Sequence, residues 1–399
     1  MTRRIRTQVG IIGAGPTGLV AASALGRAGI DHVVVERSSR ERVEQRAGVG
    51  LLEQWTVRYL RSLGLGDRLV EEGQRVGRSY FQILGRRLAL DYATLTGGDR
   101  HWLYPQHLLV RDLFEGLDRA GTPLLFSRPV RAVVGLPGPA PSIVCDEVEI
   151  ACDFVIGCDG FRGITRTLMP SALDDPPEAS LRYPYETLTM LAEVDRPVEG
   201  VVHAVTEWGF AGMMPRAPGV SRFHLQVGAG ESLDDWPVER IQEQLALRLR
   251  CEGTVAPRIG VVTELRTLLM RSHISDTLRH GSLFLAGDAA HLLTPFGGKG
   301  ANLAIADVAD LARGLIAHYH RGDDRLLDGY ARRRLRQIWQ VQEFSDRLLR
   351  LVMLPPAESG PAARRFVLGL RLAAIERMVQ GPEAESFARQ YVGSNGPAA

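Results

Sequence analysis

Gly13, Gly15 and Gly18 stand in the spacing G-x-G-x-x-G, and Glu36 follows where a second strand would end. The first glycine permits a tight turn, the second lets backbone approach a pyrophosphate, and the third lets a helix pack closely on a strand. A helix starting at Pro16 would offer the anion its unpaired N–H groups and positive dipole end. Glu36 lies at the spacing of a carboxylate that hydrogen-bonds an adenosine ribose. Without those flanking elements, the same glycines describe an ordinary strand–helix turn that binds nothing.

Two later segments carry complementary chemistry. The apolar run 153–157 delivers Asp159 and Gly160 to a turn, with Arg162 and Arg166 just beyond. The run 281–287 leads to Asp288, placed where a carboxylate could hold the hydroxyls of a polyol chain, and then to Pro295 and the glycine-rich stretch 297–302. A helix opening at Gly300 would point its N-terminus at negative charge on a reduced ring.

The elements that must position these groups are legible from periodicity. Residues 8–13 and 32–36 read as strands around a helix over 16–28 closed by Gly29, which makes a βαβ unit. A helix is expected near 51–63, a hairpin over 80–90 turning at Gly85, a helix over 107–120, and short strands from 123 to 156. Alternation from 183 to 227 predicts a sheet. A helix over 237–247, strands over 260–269 and 282–286, and a helix over 300–318 follow. The stretch 326–351 reads as one helix stopped by Leu354-Pro355-Pro356, with a helical tail to about residue 389. The class is α/β.

Composition places the chain among ordinary globular proteins, with 45% hydrophobic and 24% charged residues. Lys+Arg 48 against Asp+Glu 46 leaves a formal charge of +2, no lure for nucleic acid. Cys145, Cys152, Cys158 and Cys251 lack metal-ligand spacing and read as reduced, buried thiols, so no metal is expected. Neither a signal peptide nor a membrane span is apparent, and the expectation is a cytoplasmic protein.

The three motifs in this order resemble the FAD-dependent aromatic hydroxylases, the group A flavoprotein monooxygenases, and within them the 4-hydroxybenzoate-hydroxylating branch. The resemblance runs from Gln8 to Tyr391 and includes Arg46-Ala47-Gly48-Val49, Leu52-Glu53-Gln54, Tyr104-Pro105-Gln106, Arg111-Asp112, Gly209-Phe210-Ala211, Gln226 and Tyr391-Val392-Gly393. It implies a Rossmann-like FAD-binding domain of the GR2 type with an inserted, mostly β substrate domain and C-terminal helices. The expected division is FAD-binding 1–75, 101–177 and 271–345, a substrate-domain hairpin 76–100, a substrate-binding sheet 178–270, and a helical region 346–399. The long helix and tail would cap the FAD domain or support a homodimer.

Carried over by position, Arg46, Gln106, Asp159, Asp288, Gly300 and Asn302 join Gly13, Gly15, Gly18 and Glu36 as FAD contacts. Pro295 corresponds to the residue whose carbonyl faces the reacting edge of the substrate, Arg216 to the arginine that holds a substrate carboxylate, and Arg222 to the one near the flavin during reduction. Arg271 resembles a nicotinamide-cofactor contact, Arg162 replaces a histidine of that role, and Arg37, with Arg42, could favour NADPH over NADH. The phenol-activating tyrosine falls on His203, and the serine and tyrosine beside the carboxylate fall on Met214 and His224. A relay histidine falls on Val76, and only the second relay tyrosine is matched, by Tyr391. At matched positions, the route for a phenolic proton is therefore mostly absent. His203 could replace it, or an amino-substituted ring could make it unnecessary.

The resemblance implies an NAD(P)H-consuming monooxygenase that reduces FAD, takes up O₂, and hydroxylates a small aromatic acid other than plain 4-hydroxybenzoate through a flavin hydroperoxide. Epoxidation, oxidative cyclisation or decarboxylative hydroxylation of a larger aromatic is an alternative. A ligand carrier without turnover is another.

Overall fold

Residues 3–46, 48, 50–170, 178–354 and 360–393 are described by the computed structural model. The expected Pro355-Pro356 helix stop, and Ala47 and Val49 of the family segment, lie outside these residues.

Strands that are apolar at every position need cover on both faces, and Val9–Ile12 and His32–Val35 are buried throughout. They lie at the centre of a six-stranded sheet ordered 279–280, 283–285, 154–157, 9–12, 32–35, 124–125. All neighbours pair in parallel except the first two strands. The Pro16–Arg27, Gln106–Arg119 and Gly300–Arg321 helices cover one face, joining Leu19, Val20, Leu113, Phe114, Leu303 and Leu311 in one core. A four-stranded sheet (3–6, 148–151, 142–145, 130–134) closes the other face around Ile12, Val35, Ile143 and Val155.

The second large layer is an eight-stranded sheet ordered 291–292, 259–275, 178–194, 220–227, 209–217, 201–206, 79–83, 86–90. On one face the Val238–Arg248 helix buries Ile241 and Leu245 against Met190, Phe223 and Leu225. The other face meets the Tyr330–Val352, Pro361–Val379 and Ala384–Val392 helices, with Phe81, Phe210, Phe344, Leu348 and Tyr391 in the shared core. The tail thus caps this sheet. Alternation leaves Phe210, Gly212 and Met214 on one face, and the pairing slips between Pro215 and Ala217, at Arg216.

Three expectations about elements need correction. The segment 51–63 opens as a strand, Leu51–Leu52, paired with Trp102 and Leu103, and turns helical only at Gln54. The stretch 326–351 is two helices, Arg325–Asp328 and Tyr330–Val352. Apolar periodicity runs through Gly329, but the chain turns there and Tyr330 is buried, its hydroxyl donating to the Leu285 carbonyl at 2.8 Å. The strand expected over 260–269 runs Ile259–Ser275, past the expected division at 270, because it pairs with Glu178–Val194 from end to end.

Candidate active site

A cleft of about 770 Å³ opens at the C-terminal ends of the parallel strands and is lined by Gly13, Gly15, Glu36, Arg37, Arg46, Gln106, Asp159, Arg162, Asp288, Pro295 and Gly300, among others. Eleven residues expected from sequence to touch a cofactor or the reacting ring therefore meet in one groove.

The geometry of the glycine turn explains each of its members. Gly13 has φ +107°, and a Cβ there would lie 2.4 Å from the Cys158 carbonyl oxygen. A Cβ at Gly18 would lie 1.9 Å from the carbonyl oxygen of Gly13, so helix and strand touch through backbone. Gly15 faces open space, with nothing within 4 Å of a Cβ placed there. Glu36 is held in place by the backbone N–H groups of Ala14, at 2.9 Å, and Ser38, at 2.8 Å, with lone pairs left for a ribose. The donor set, the open front of the turn and the 770 Å³ volume fit FAD.

Asp159 accepts from the Thr165 N–H at 3.0 Å and from its hydroxyl, and burial raises its carboxyl pKa above the usual range. Asp288 is exposed and lines the cleft, and desolvation raises its pKa too. Its turn is clamped from beneath by Asp307. That carboxylate accepts from Gly287 N–H at 2.9 Å, Arg334 Nε at 2.7 Å and His291 Nε2 at 2.6 Å. Burial alone would raise the Asp307 carboxyl, but His291 and Arg334 outweigh it and hold it down.

The remaining cofactor candidates are placed differently. Asn302 is fully buried. Its amide oxygen accepts from Glu53 N–H at 2.9 Å and Thr56 Oγ1 at 2.8 Å, and its amide nitrogen donates to the carbonyls of Leu51 and Gly298. The Asn302 side chain thus anchors the segment around Glu53 rather than facing the cleft. Arg271 stacks 4.5 Å over Phe161, whose ring also carries Arg166 at 4.7 Å. Sequence reasoning passed over Thr294, whose buried hydroxyl lines the cleft with no hydrogen-bond partner among the described residues.

Behind Pro295 lies a second, apolar cavity of about 60 Å³, lined by Thr187, His203, Phe210, Met213, Met214, His224, Met270, Pro295 and Tyr391, among others. Pro295 touches both spaces, which puts this cavity beside the cofactor cleft. A benzene-sized guest needs roughly 150 Å³, so a ligand must displace wall atoms. Met213, Met214 and Met270 are unbranched and suit that adjustment.

Arg216 is buried; Nη2 donates to the Gly48 carbonyl at 2.8 Å, and Nη1 has no partner among the described residues. Burial, with the Arg222 charge nearby, lowers its pKa to about 10, so it remains a cation at neutral pH. Arg222 is also buried and pairs with Glu264 at 2.9 Å, which also binds Arg266 at 3.0 Å.

His203 is stacked on Phe81, and its Nε2 lies 3.2 Å from the Tyr391 hydroxyl. Nδ1 has no partner among the described residues, and burial lowers the ring's pKa to about 4. His203, where the family has a tyrosine, thus contacts Tyr391, the matched tyrosine. Burial, with Arg222 and His203 nearby, holds His224 lower still, at about 3.

These neutral rings make stability acid-sensitive. Unfolded histidine titrates near 6.5, whereas buried His203 and His101 wait until about 4 and about 3. Both contributions are complete above pH 6.5 and are lost as pH falls, because only the unfolded chain takes up the protons. By pH 5 each ring costs about 2 kcal/mol. Thermal unfolding followed at pH 7, 6 and 5 should show a steadily falling midpoint. A midpoint flat across that range would contradict the buried, neutral assignment.

The comparisons with known proteins agree with this geometry. The family description "FAD binding domain" matches residues 6–345. The chain is 33% identical over 347 residues to p-hydroxybenzoate hydroxylase of Acinetobacter baylyi, covering 86% of this chain and 85% of that one. It is 27% identical to a 3-(3-hydroxy-phenyl)propionate/3-hydroxycinnamic acid hydroxylase of Mycolicibacterium gilvum, covering 96% of this chain and 68% of that one. Among solved structures, p-nitrophenol 4-monooxygenase from Pseudomonas putida superposes with TM-score 0.78 at 19% identity, covering 98% of this chain and 97% of that one, which speaks for the fold. With the cleft, the glycine turn and the match over residues 6–345 in agreement, this chain belongs to the FAD-dependent aromatic hydroxylases.

Proposed function

We propose that the protein hydroxylates a hydroxyaromatic carboxylate other than plain 4-hydroxybenzoate. FAD, when bound, supplies the redox chemistry, passing electrons from NAD(P)H to O₂ and the oxygen atom to the ring. The chain's own residues bind, orient and exclude water. The carrying observation is Arg216, a buried cation with Nη1 open among the described residues, on the strand whose Phe210, Gly212 and Met214 line the cavity. A guanidinium so desolvated favours a carboxylate partner and fixes the ring against Pro295. Met214 and His224 make that end of the cavity different from one built for simple 4-hydroxybenzoate. The open Nδ1 of His203, with Tyr391 at its Nε2, supports a role in accepting a proton from a ring hydroxyl. Arg37 and Arg162 on the cleft wall support docking of a phosphorylated nicotinamide cofactor, and Arg271 behind Phe161 supports it further out.

Arg216→Gln tests the anchor. Losing a charge-assisted pair at this site costs about 2–3 kcal/mol, a roughly 30- to 150-fold weaker Kd. The flavin absorbance change on titrating FAD-loaded protein with a hydroxyaromatic acid, and separately with its carboxamide, reads this directly. The acid should lose its affinity and the amide should change little; equal losses would remove Arg216 as the carboxylate anchor. Efficient conversion of 4-hydroxybenzoate to a dihydroxy product, with NADPH consumed in step, would refute the substrate assignment.

A further inference from the structure

Two residues lining the apolar cavity bury a polar atom that has no hydrogen-bond partner among the described residues: Thr187 Oγ1 and His203 Nδ1. Thr187 is fully buried and His203 nearly so. A strand position that needs only shape would use valine in place of threonine, with no hydroxyl to satisfy. Strand register shows how far apart the two groups lie. His203 is level with Gly212, Gly212 with His224, and His224 with Thr189, so all four share one face of the eight-stranded sheet. Thr187 shares it too, two residues along the strand from Thr189 and level with Gln226. Strands 209–217 and 220–227 lie between them, so the His203 and Thr187 backbones are three strand spacings apart, about 14 Å across the sheet. Their side chains close only part of that gap, and a hydrogen bond reaches about 3 Å. One substituent cannot serve both.

The stretch between the two groups is apolar. Gly212 has no side chain, and the Phe210 ring lies over it, 2.7 Å from where a Cβ would stand. That ring stands edge-on to Phe296 at 5.3 Å and stacks toward His203 at 6.2 Å, while Met214 and Met270 complete the wall. The lining therefore runs from a polar end at His203, through an aromatic and thioether middle, to a polar end at Thr187 with His224 on the strand beside it. Such a lining matches a flat ring with hydrogen-bonding groups on opposite sides. If 4-hydroxybenzoate placed its hydroxyl on His203 and its carboxylate on Arg216, Thr187 would stay buried and unpaired, a standing cost in that complex. Resting on the hydroxyaromatic-acid reading above, we propose that the substrate carries a second hydrogen-bonding substituent, a hydroxyl or amino group, on the half of the ring away from the hydroxyl that His203 receives, and that Thr187 selects it. A site that reserves a buried polar group for a substrate substituent discriminates against analogues lacking it, because the group stays unpaired in the wrong complex. Thr187 thus sets specificity and takes no part in oxygen transfer.

The test titrates FAD-loaded protein with four acids and follows flavin absorbance. In 2,4-dihydroxybenzoate and 2-amino-4-hydroxybenzoate the second group lies on the half of the ring away from the 4-hydroxyl; 3,4-dihydroxybenzoate carries it on the wrong half, and 4-hydroxybenzoate lacks it. At least one of the first two should bind about tenfold or more tightly than both of the others. Thr187→Val should erase that preference, weakening the favoured acid about tenfold while 4-hydroxybenzoate stays within about twofold, and Thr187→Ser, which keeps the hydroxyl, should restore it. Flavin-free Thr187→Val should melt no lower than the unaltered protein, because it loses an unpaired hydroxyl and no hydrogen bond. A lower midpoint with equal weakening of all four acids would show a structural role and overturn the proposal. Equal binding of the four acids to the unaltered protein overturns it as well, and leaves the hydroxyaromatic-acid reading standing. If none of the four perturbs the flavin, that reading fails and the proposal falls with it.

Discussion

Gly18→Ala should purify colourless. The added methyl would sit 1.9 Å from the Gly13 carbonyl oxygen, a backbone atom that cannot rotate away. The helix must therefore lift from the strand, and Gly13, whose own Cβ position is closed by Cys158, has no room to follow. Overpacking of this kind costs about 3 kcal/mol or more, and the same displacement removes the N-terminal N–H groups of the Pro16–Arg27 helix from their place against the pyrophosphate. A flavin dissociation constant several hundred-fold weaker corresponds to roughly 3–4 kcal/mol. Gly15→Ala is the matched control. Nothing in the protein lies within 4 Å of that methyl, so the flavin-free protein should melt as before while flavin affinity still falls, because the methyl occupies the ligand's space. The ratio of flavin to protein absorbance after reconstitution, with the melting midpoint of each flavin-free variant, separates the two effects. A fully yellow Gly18→Ala protein would show that helix–strand contact does not govern the cleft.

Lys299→Met should cost nearly as much through a different mechanism. Lys299 and Glu53 are both buried, 2.7 Å apart, and neither can reach water when the other is removed. Methionine preserves the shape but leaves the Glu53 carboxylate without its cation, a loss of about 3–5 kcal/mol. Lys299 is also the N-cap of the Gly300–Arg321 helix and a donor to the Tyr391 carbonyl, so the variant should disturb the cofactor cleft and Tyr391 together. Glu53→Gln combined with Lys299→Met removes the stranded charge and should recover much of the loss. Thermal melts of the two single variants and the double complete the cycle. An unchanged midpoint for Lys299→Met would mean that the pair contributes nothing net. Failure of the double variant to recover would instead point to the lost Tyr391 tether.

How far the sequence reaches follows from which interactions are local. The glycine turn with Glu36, the Asp159 and Asp288 turns and the Gly300 helix start were legible because each is written in one short stretch, where backbone sterics and strand–helix alternation leave few choices. The aromatic-hydroxylase family was legible because the order of those stretches is distinctive. Gly329 shows where local reading stops, since apolar periodicity continued while the chain turned to bury Tyr330.

Only the tertiary structure decided what the residues between the motifs do. Lys299 and Glu53 are 246 positions apart, Tyr391 and Ser79 are 312 apart, and Asn302 reaches 249 positions back to Glu53. No spacing rule connects such pairs, because their meeting is set by how the eight-stranded sheet and the C-terminal helices stack on the cofactor domain. Backbone geometry of neighbours made the cofactor cradle readable from the chain alone; desolvation and distant contacts, which exist only after packing, settled the substrate cavity and the hydrogen bonds behind it.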